Sequence, residues 1–105
     1  MTQDTNRLLQ IVSEPTRQRI LLATWDQERN AGEIAKSFPT TFGAVSQHLR
    51  VLRDAGAVRV ERRGKYRFYR AERERLGPVR DFLEAFWRHQ LAELSTMAEA
   101  EDEEQ

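Results

Sequence analysis

The sequence predicts a mostly helical α+β fold with the element order α-α-α-α-β-β-α. Apolar residues recur at helical spacing as far as Ala55, then alternate with a period of two, and return to helical spacing after Pro78. A chain of 105 residues fits a single domain, which we place at residues 1–98. We expect the acidic tail, residues 99–105, to be disordered.

The first three helices are predicted from their caps and apolar spacing. The first spans Asp4–Val12, and the second begins after Ser13, a good N-cap, and runs to about Trp25. Asn30 is placed to cap a short third helix, Ala31–Ser37, with a capping-box glutamate three residues later.

The fourth helix follows a turn at Phe38–Thr40, where Pro39 ends the third helix. Thr41 is a suitable N-cap, and the helix runs to Ala55. Gly56 then stands where a left-handed residue commonly ends a helix. The apolar positions of the fourth helix, Val45, Leu49 and Leu52, recur at i, i+4 and i+7. This spacing predicts one buried stripe and an opposite polar face.

A β-hairpin is predicted after this helix. Ala57–Glu61 alternates apolar and charged residues, Tyr66–Arg70 is aromatic and charged, and the short loop between them contains Gly64. An isolated hairpin is only marginally stable, so this one must pack on the helices. The side chains expected to do so are Val58, Val60, Tyr66 and Phe68. A last helix is predicted over Pro78–Ala98.

The charge distribution favours binding to a polyanion. The net charge is zero, yet residues 48–75 carry ten basic and four acidic side chains, and residues 76–105 carry two basic and eight acidic ones. The electrostatic field around a protein depends on where its charges lie as well as on their sum. A helix-turn-helix followed by a basic hairpin predicts a winged helix-turn-helix, whose second helix fits the major groove of DNA.

Three segments resemble the bacterial ArsR/SmtB-type winged-helix repressors. Glu14–Leu21 is similar to the family's second-helix signature, Ala44–Gly56 to its recognition helix, and Arg62–Lys65 with Phe68–Arg70 to its wing. The resemblance implies a homodimer joined through the first and last helices, which represses a nearby operon.

The familiar sensing sites of that family are missing. The chain has no cysteine, which excludes disulfides, thiolate metal ligands and thiol redox sensing, and Gly32–Lys36 offers no metal ligand at the third helix. Asp81 and His89 are eight residues apart, which is not the spacing of an i, i+4 pair. We therefore expect no metal and no cofactor. Phe42-Gly43 replaces the family's usual Arg-Pro pair, which leaves the preferred DNA sequence open.

DNA contacts are expected from the polar face of the fourth helix and from the wing. Gln47 is suited to adenine, and Arg50 to guanine or a phosphate. Phe42 either touches a thymine methyl or packs beneath the preceding turn, and His48 combines a place near the DNA with packing at the edge of the stripe. An ordinary solvated surface is the alternative. The full set is Thr40, Thr41, Phe42, Ser46, Gln47, His48, Arg50, Arg62, Arg63 and Lys65.

A dimer interface is predicted on the first and last helices, because a chain this short has limited capacity to bury so many large side chains alone. Ordinary core packing and a ligand pocket are the alternatives. The candidate residues are Leu8, Leu9, Val12, Phe82, Leu83, Phe86, Trp87, Leu91 and Leu94.

The function predicted from these features is sequence-specific binding of double-stranded DNA by a homodimeric repressor at a palindromic operator. The chain shows no signal peptide and no membrane span, so the cytoplasm is expected. It shows no nucleophile–base pair, phosphate loop or paired carboxylates, so we do not expect an enzyme. A winged-helix protein-interaction module and a small-molecule-responsive variant are the alternatives, and activation rather than repression stays open.

Overall fold

The computed structural model describes residues 2–89 and has the predicted succession of helices, hairpin and helix, with one additional short strand. None of the helices in these residues is long and apolar enough to cross a membrane. The elements are α1 (Thr2–Val12), α2 (Pro15–Ala23), β1 (Arg29–Asn30), α3 (Ala31–Lys36), α4 (Phe42–Asp54), β2 (Val58–Arg63), β3 (Tyr66–Ala71), a 3₁₀ turn (Gly77–Val79) and α5 (residues 80–89).

The start of α2 differs from the sequence prediction. Glu14, rather than Ser13, is its N-cap, and the Glu14 carboxylate accepts a hydrogen bond of 2.8 Å from the Arg17 backbone N–H. The Ser13 hydroxyl instead donates to the Gln10 carbonyl at 2.7 Å, across the last turn of α1. Ser13 therefore helps to end one helix, and the next residue begins the other.

The caps of α3 and α4 are as predicted. Asn30 Oδ1 accepts from the Glu33 N–H at 2.8 Å, and the Glu33 carboxylate accepts in return from the Asn30 N–H. Thr41 Oγ1 accepts from the Ala44 N–H at 3.1 Å and begins α4. Gly56 follows α4 with φ of +75°, in the left-handed region that favours glycine.

The sheet has three antiparallel strands in the order β1-β3-β2. β1 was not predicted, because two residues are too few to show an alternating pattern. Arg29 lies opposite Tyr69, and Asn30 opposite Phe68, so β1 joins the hairpin to the segment just before α3.

The face that β3 turns to the core was predicted wrongly. Tyr69 is only 6% exposed and Ala71 is also buried, whereas Tyr66 is 52% exposed and Phe68 is half-buried. The Ala71 N–H donates to the Thr24 carbonyl at 3.0 Å, which ties the end of β3 to the end of α2 and helps to set this register. Val58, which is buried, and the half-buried Val60 do pack inward, as expected.

The core lies between the helices and one face of the sheet. Trp87 of α5 meets Trp25 edge to face, with 5.2 Å between ring centroids, and its indole N–H donates to the Gln18 carbonyl. The last helix begins at residue 80, after the 3₁₀ turn, two residues later than predicted. The predicted end of this helix and the acidic tail lie outside the described residues. The principal core residues are Leu8, Val12, Ile20, Leu21, Ile34, Val45, Leu49, Leu52, Leu76, Val79 and Leu83.

Candidate nucleic-acid interface

The outward face of α4 carries the polar side chains predicted to contact DNA. Ser46, Gln47 and Arg50 are exposed, on the side of the helix away from the stripe that α4 buries in the core. At the N-terminal end Thr40 and Thr41 are exposed, and so is Phe42, at 59%. A large aromatic side chain left in water beside polar residues is free to meet a partner, and the structure places Phe42 there rather than beneath the preceding turn.

The pleat of the β2–β3 hairpin, which we call the wing, separates its arginines onto two faces. The inner face is the one that bears Val58 and Tyr69 and turns toward α4. Cross-strand register places Arg62 and Arg67 opposite each other on this inner face. Strand alternation places Arg59, Arg63 and Arg70 on the other, outer face.

The outer arginines are held by partners within the protein. Arg59 lies 3.6 Å from the Glu72 carboxylate, and Arg70 donates to the Asp26 carbonyl at 3.4 Å. The Arg63 guanidinium pairs with Glu28 and lies 3.9 Å above the centre of the Phe68 ring. The hydrogen bond that the Arg63 guanidinium donates to the Glu28 carboxylate raises the pKa of Arg63. Arg63, predicted to contact phosphate, is thus already engaged by an acidic side chain.

The inner arginines lack such partners. Within residues 2–89, neither Arg62, Arg67 nor Arg50 of α4 has an ion-pair partner. A cleft of about 270 Å³ lies between α4 and the wing, lined by Ser46, Arg50, Arg53, Arg67 and Tyr69. Arg53 pairs with the neighbouring Asp54 at 3.4 Å.

A second cleft, of about 410 Å³, continues along the same surface toward α3. It shares Ser46, Arg67 and Tyr69 with the first cleft and adds Phe42 and Lys65. Arg67 borders both clefts and was not among the residues predicted to contact DNA. The signal was available, because a residue two positions before a buried strand residue shares its face, but it required Tyr69 rather than Phe68 to be chosen as the buried residue.

His48 lies away from the exposed face of α4 and is half-buried against α2. Its Nδ1 lies 3.3 Å from Arg17 Nη1 and 3.7 Å from a Glu14 carboxylate oxygen. Burial raises the pKa of Glu14, but hydrogen bonds from the Arg17 and Thr16 backbone and the charges of His48 and Arg17 outweigh it, so the pKa is lowered overall. In the protein alone, therefore, His48 joins α4 to the N-terminal end of α2.

Comparison with known proteins identifies the family of proteins to which this chain belongs. A family model described as a helix-turn-helix domain matches residues 12–61. The transcriptional repressor SdpR of Bacillus subtilis is 31% identical over 64 residues, which cover 61% of this chain and 71% of SdpR. A crystal structure of a possible transcriptional regulator for arsenical resistance is 35% identical, covers 84% of this chain and 92% of its own, and superposes with a TM-score of 0.66. The chain belongs to the ArsR-type winged helix-turn-helix transcription regulators.

The fold of this ArsR-type regulator is also found in a homodimeric winged helix-turn-helix DNA-binding domain from Mycobacterium bovis. That domain is 21% identical, covers 86% of this chain and 83% of its own, and superposes with a TM-score of 0.71. At this identity the likeness concerns the fold. Within residues 2–89 of the ArsR-type regulator, no group of three His, Asp or Glu side chains is arranged to hold a metal ion.

The residues predicted to form the dimer interface divide between the protomer's core and its surface. Leu9 of α1 is 37% exposed and Phe82 of α5 is 43% exposed, so both have apolar area available to a second copy. Phe86 is half-buried. The rest of the described set is already buried inside the single protomer: Leu8, Val12, Leu83 and Trp87. Leu91 and Leu94 lie outside the described residues.

Proposed function

We propose that this ArsR-type regulator is a homodimeric repressor that places α4 in the major groove of a palindromic operator in the cytoplasm. The observation that carries the proposal is the exposed row of Ser46, Gln47 and Arg50 beside the unpaired arginines of the inner wing face. A helix supplies groups that read base edges, and neighbouring cations supply the affinity for phosphates that fixes its register.

Each exposed residue takes a role set by its chemistry. Gln47 is the candidate for a bidentate contact with adenine, and Phe42 for contact with a thymine methyl group. Thr40, Thr41 and Ser46 present hydroxyls for phosphates at the end of α4 that enters the groove first. On the wing, Arg62 and Lys65 are the candidates for backbone contact. We propose that Arg63 supports the wing instead of binding DNA, because its charge is engaged by Glu28.

A two-fold dimer matches an operator with two equivalent half-sites about 34–36 Å apart, one turn of the duplex. We propose that residues 1–98 form the unit that dimerises and binds DNA. The homodimeric Mycobacterium bovis domain of the same fold supports this assembly, and the name of SdpR supports repression. Repression follows physically when an operator that overlaps a promoter is occupied by the regulator instead of by polymerase.

The decisive experiment is a mobility-shift titration of the full chain with duplex DNA from its own upstream region, against a scrambled duplex, at several salt concentrations. We expect a specific complex that weakens steeply with salt. Gln47→Ala should relax discrimination at one base pair, at a cost of about 1–3 kcal/mol for the preferred sequence. Arg62→Ala should instead weaken the specific and scrambled duplexes equally.

Other outcomes point to the alternative functions. If no duplex is shifted even at low salt, the surface serves as a protein-interaction module and the DNA-binding proposal is wrong. If the shift occurs but Gln47→Ala leaves discrimination unchanged, α4 does not read bases in the predicted orientation. Release of the complex by a small metabolite would identify the effector-responsive variant.

A further inference from the structure

We propose that the cleft between α4 and the inner wing face is a binding site for one phosphodiester of the DNA backbone, with Arg67 and Arg50 as its cationic donors. The site deepens the proposed function and rests on it. It adds Arg67, which is not among the DNA contacts predicted from the sequence. It also separates the arginines that bind DNA from those that only support the wing.

A pair of like charges on the inner wing face favours a bound anion. Arg62 and Arg67 are direct cross-strand partners, and like charges directly opposite each other destabilise a sheet. No carboxylate among residues 2–89 offsets either one. On the opposite face, by contrast, Arg59 and Arg63 have acidic partners close by. An anion bound at the inner face would supply the compensation that the free protein lacks.

The size and the lining of the cleft fit a phosphate group. Its volume of about 270 Å³ is several times the roughly 30 Å³ that a water molecule occupies in the liquid, which is enough for a phosphate group and part of its solvation. Arginines from two elements line it, Arg50 and the Asp54-paired Arg53 from α4 and Arg67 from β3, and Ser46 adds a hydroxyl. Guanidinium groups bind phosphate oxygens through paired, charge-assisted hydrogen bonds, so two of them converging on one cleft favour an oxyanion.

The cleft lies next to the candidate base contacts. Arg67, Ser46 and Tyr69 also line the neighbouring cleft that leads to Lys65 and Phe42. The anion site is therefore continuous with the surface that carries the candidate base contacts. A phosphate held there would fix the depth and angle at which α4 enters the groove, because one rigid contact would join the helix and the wing to the same DNA strand.

The test compares Arg67→Gln with Arg59→Gln, which removes the same charge from the outer face of the same hairpin. The affinity for the operator duplex is measured by fluorescence anisotropy between about 50 and 200 mM salt. One lost phosphate contact reduces the slope of log affinity against log salt by about 0.9. Over this fourfold rise in salt, the fold-decrease in affinity should therefore be about 3.5 times smaller for Arg67→Gln than for the wild type. Arg59→Gln should keep the wild-type slope. Equal slopes for Arg67→Gln and the wild type would overturn the site.

A second measurement checks the free protein. Because Arg67→Gln removes a like-charge neighbour, its melting temperature at low salt should be equal to or higher than that of the wild type. The same is expected of Arg62→Gln. A clearly lower melting temperature for both variants would show that the Arg62–Arg67 pair stabilises the wing. That result would overturn the claim that the pair needs an anion to compensate it.

Inorganic phosphate distinguishes the two sources of an oxyanion. At constant ionic strength in chloride, phosphate should raise the wild-type melting temperature only slightly. A large rise that is absent in Arg67→Gln, together with an unchanged DNA salt slope, would assign the cleft to a free anion and overturn the phosphodiester proposal while leaving DNA binding intact. Failure of the wild type to bind any duplex would instead overturn the proposed function, and this site with it.

Discussion

Replacing Phe82 by alanine tests whether α1 and α5 join two copies of the chain. Phe82 is 43% exposed in the protomer, and Leu9 of α1 is 37% exposed. The other described candidates for this interface are either half-buried, as Phe86 is, or already packed in the protomer's core. Truncating Phe82 therefore removes apolar area that a second copy would cover, while leaving the buried side of α5 in place.

The expected effect follows from the exposed area. A phenylalanine buries roughly 200 Å² when it is fully covered, so 43% exposure leaves about 85 Å² for the partner. At about 25 cal/mol per Å² this contributes about 2 kcal/mol per protomer. A two-fold interface uses the residue twice, which gives about 4 kcal/mol, or nearly a 1000-fold rise in the dimer dissociation constant.

Sedimentation equilibrium of the wild type and Phe82→Ala across a wide concentration range measures this shift. Leu22→Ala is the matched control, because Leu22 is 45% exposed but lies on α2, outside the proposed interface. We expect Leu22→Ala to dimerise as the wild type does. If Phe82→Ala stays dimeric wherever the wild type is, or if Leu22→Ala dissociates as readily, the interface lies elsewhere.

Four further predictions concern the stability of the domain and can be checked by denaturant unfolding. Gly43→Ala should stabilise the protein by about 0.5–1 kcal/mol, since Gly43 lies within α4 and an added Cβ would meet only Thr41 Oγ1, at an ordinary contact distance of 4.0 Å. Gly56→Ala should destabilise it by about 1–2 kcal/mol, because φ there is +75°; equal effects of the two substitutions would contradict the assigned backbone. Thr41→Ala should cost about 1 kcal/mol through the lost cap of α4, and Thr41→Ser should restore most of it. Because folding lowers the pKa of Glu14 from 4.5, its contribution is present above pH 4.5 and is lost as the pH falls through the lower, folded value. Glu14→Gln should therefore show a weaker loss of stability with acid than the wild type, and an unchanged acid profile would rule out this carboxylate as a source of it.

The parts of the fold that depend on local chemistry were predictable from the sequence. Three such features are the capping box at Asn30, the cap at Thr41 and the left-handed Gly56. Each involves neighbours within a few positions, so the residue types alone identify it. The N-cap of α2 was missed because Ser13 is the stronger capping residue in isolation, whereas Pro15 at the first helical position makes Glu14 the cap.

The face of the wing was not predictable in the same way. β3 contains Tyr66, Phe68 and Tyr69, so aromatic residues fall on both faces and hydrophobicity alone does not choose between them. The choice is made by contacts that are distant in sequence: the hydrogen bond from Ala71 to Thr24 and the pairing of β3 with β1. Because a one-residue error in register exchanges the two faces of a strand, choosing Phe68 as an inward residue also assigned Arg67 to the wrong face.

The division of the wing's arginines between two faces explains how a chain with zero net charge can present a strongly cationic surface. The acidic residues Glu28, Glu61 and Glu72 lie beside the outer wing arginines and cancel much of their field. The uncancelled charges of Arg62 and Arg67 then face α4, on the same side as its polar residues. Removing an outer carboxylate, as in Glu28→Gln, would free a cation that does not face α4. It should therefore raise the affinity for scrambled duplexes more than the affinity for the operator, and so reduce specificity. Mobility-shift titrations of both duplexes measure this ratio, and an unchanged ratio would mean that the outer carboxylates have no part in directing the DNA to the inner face.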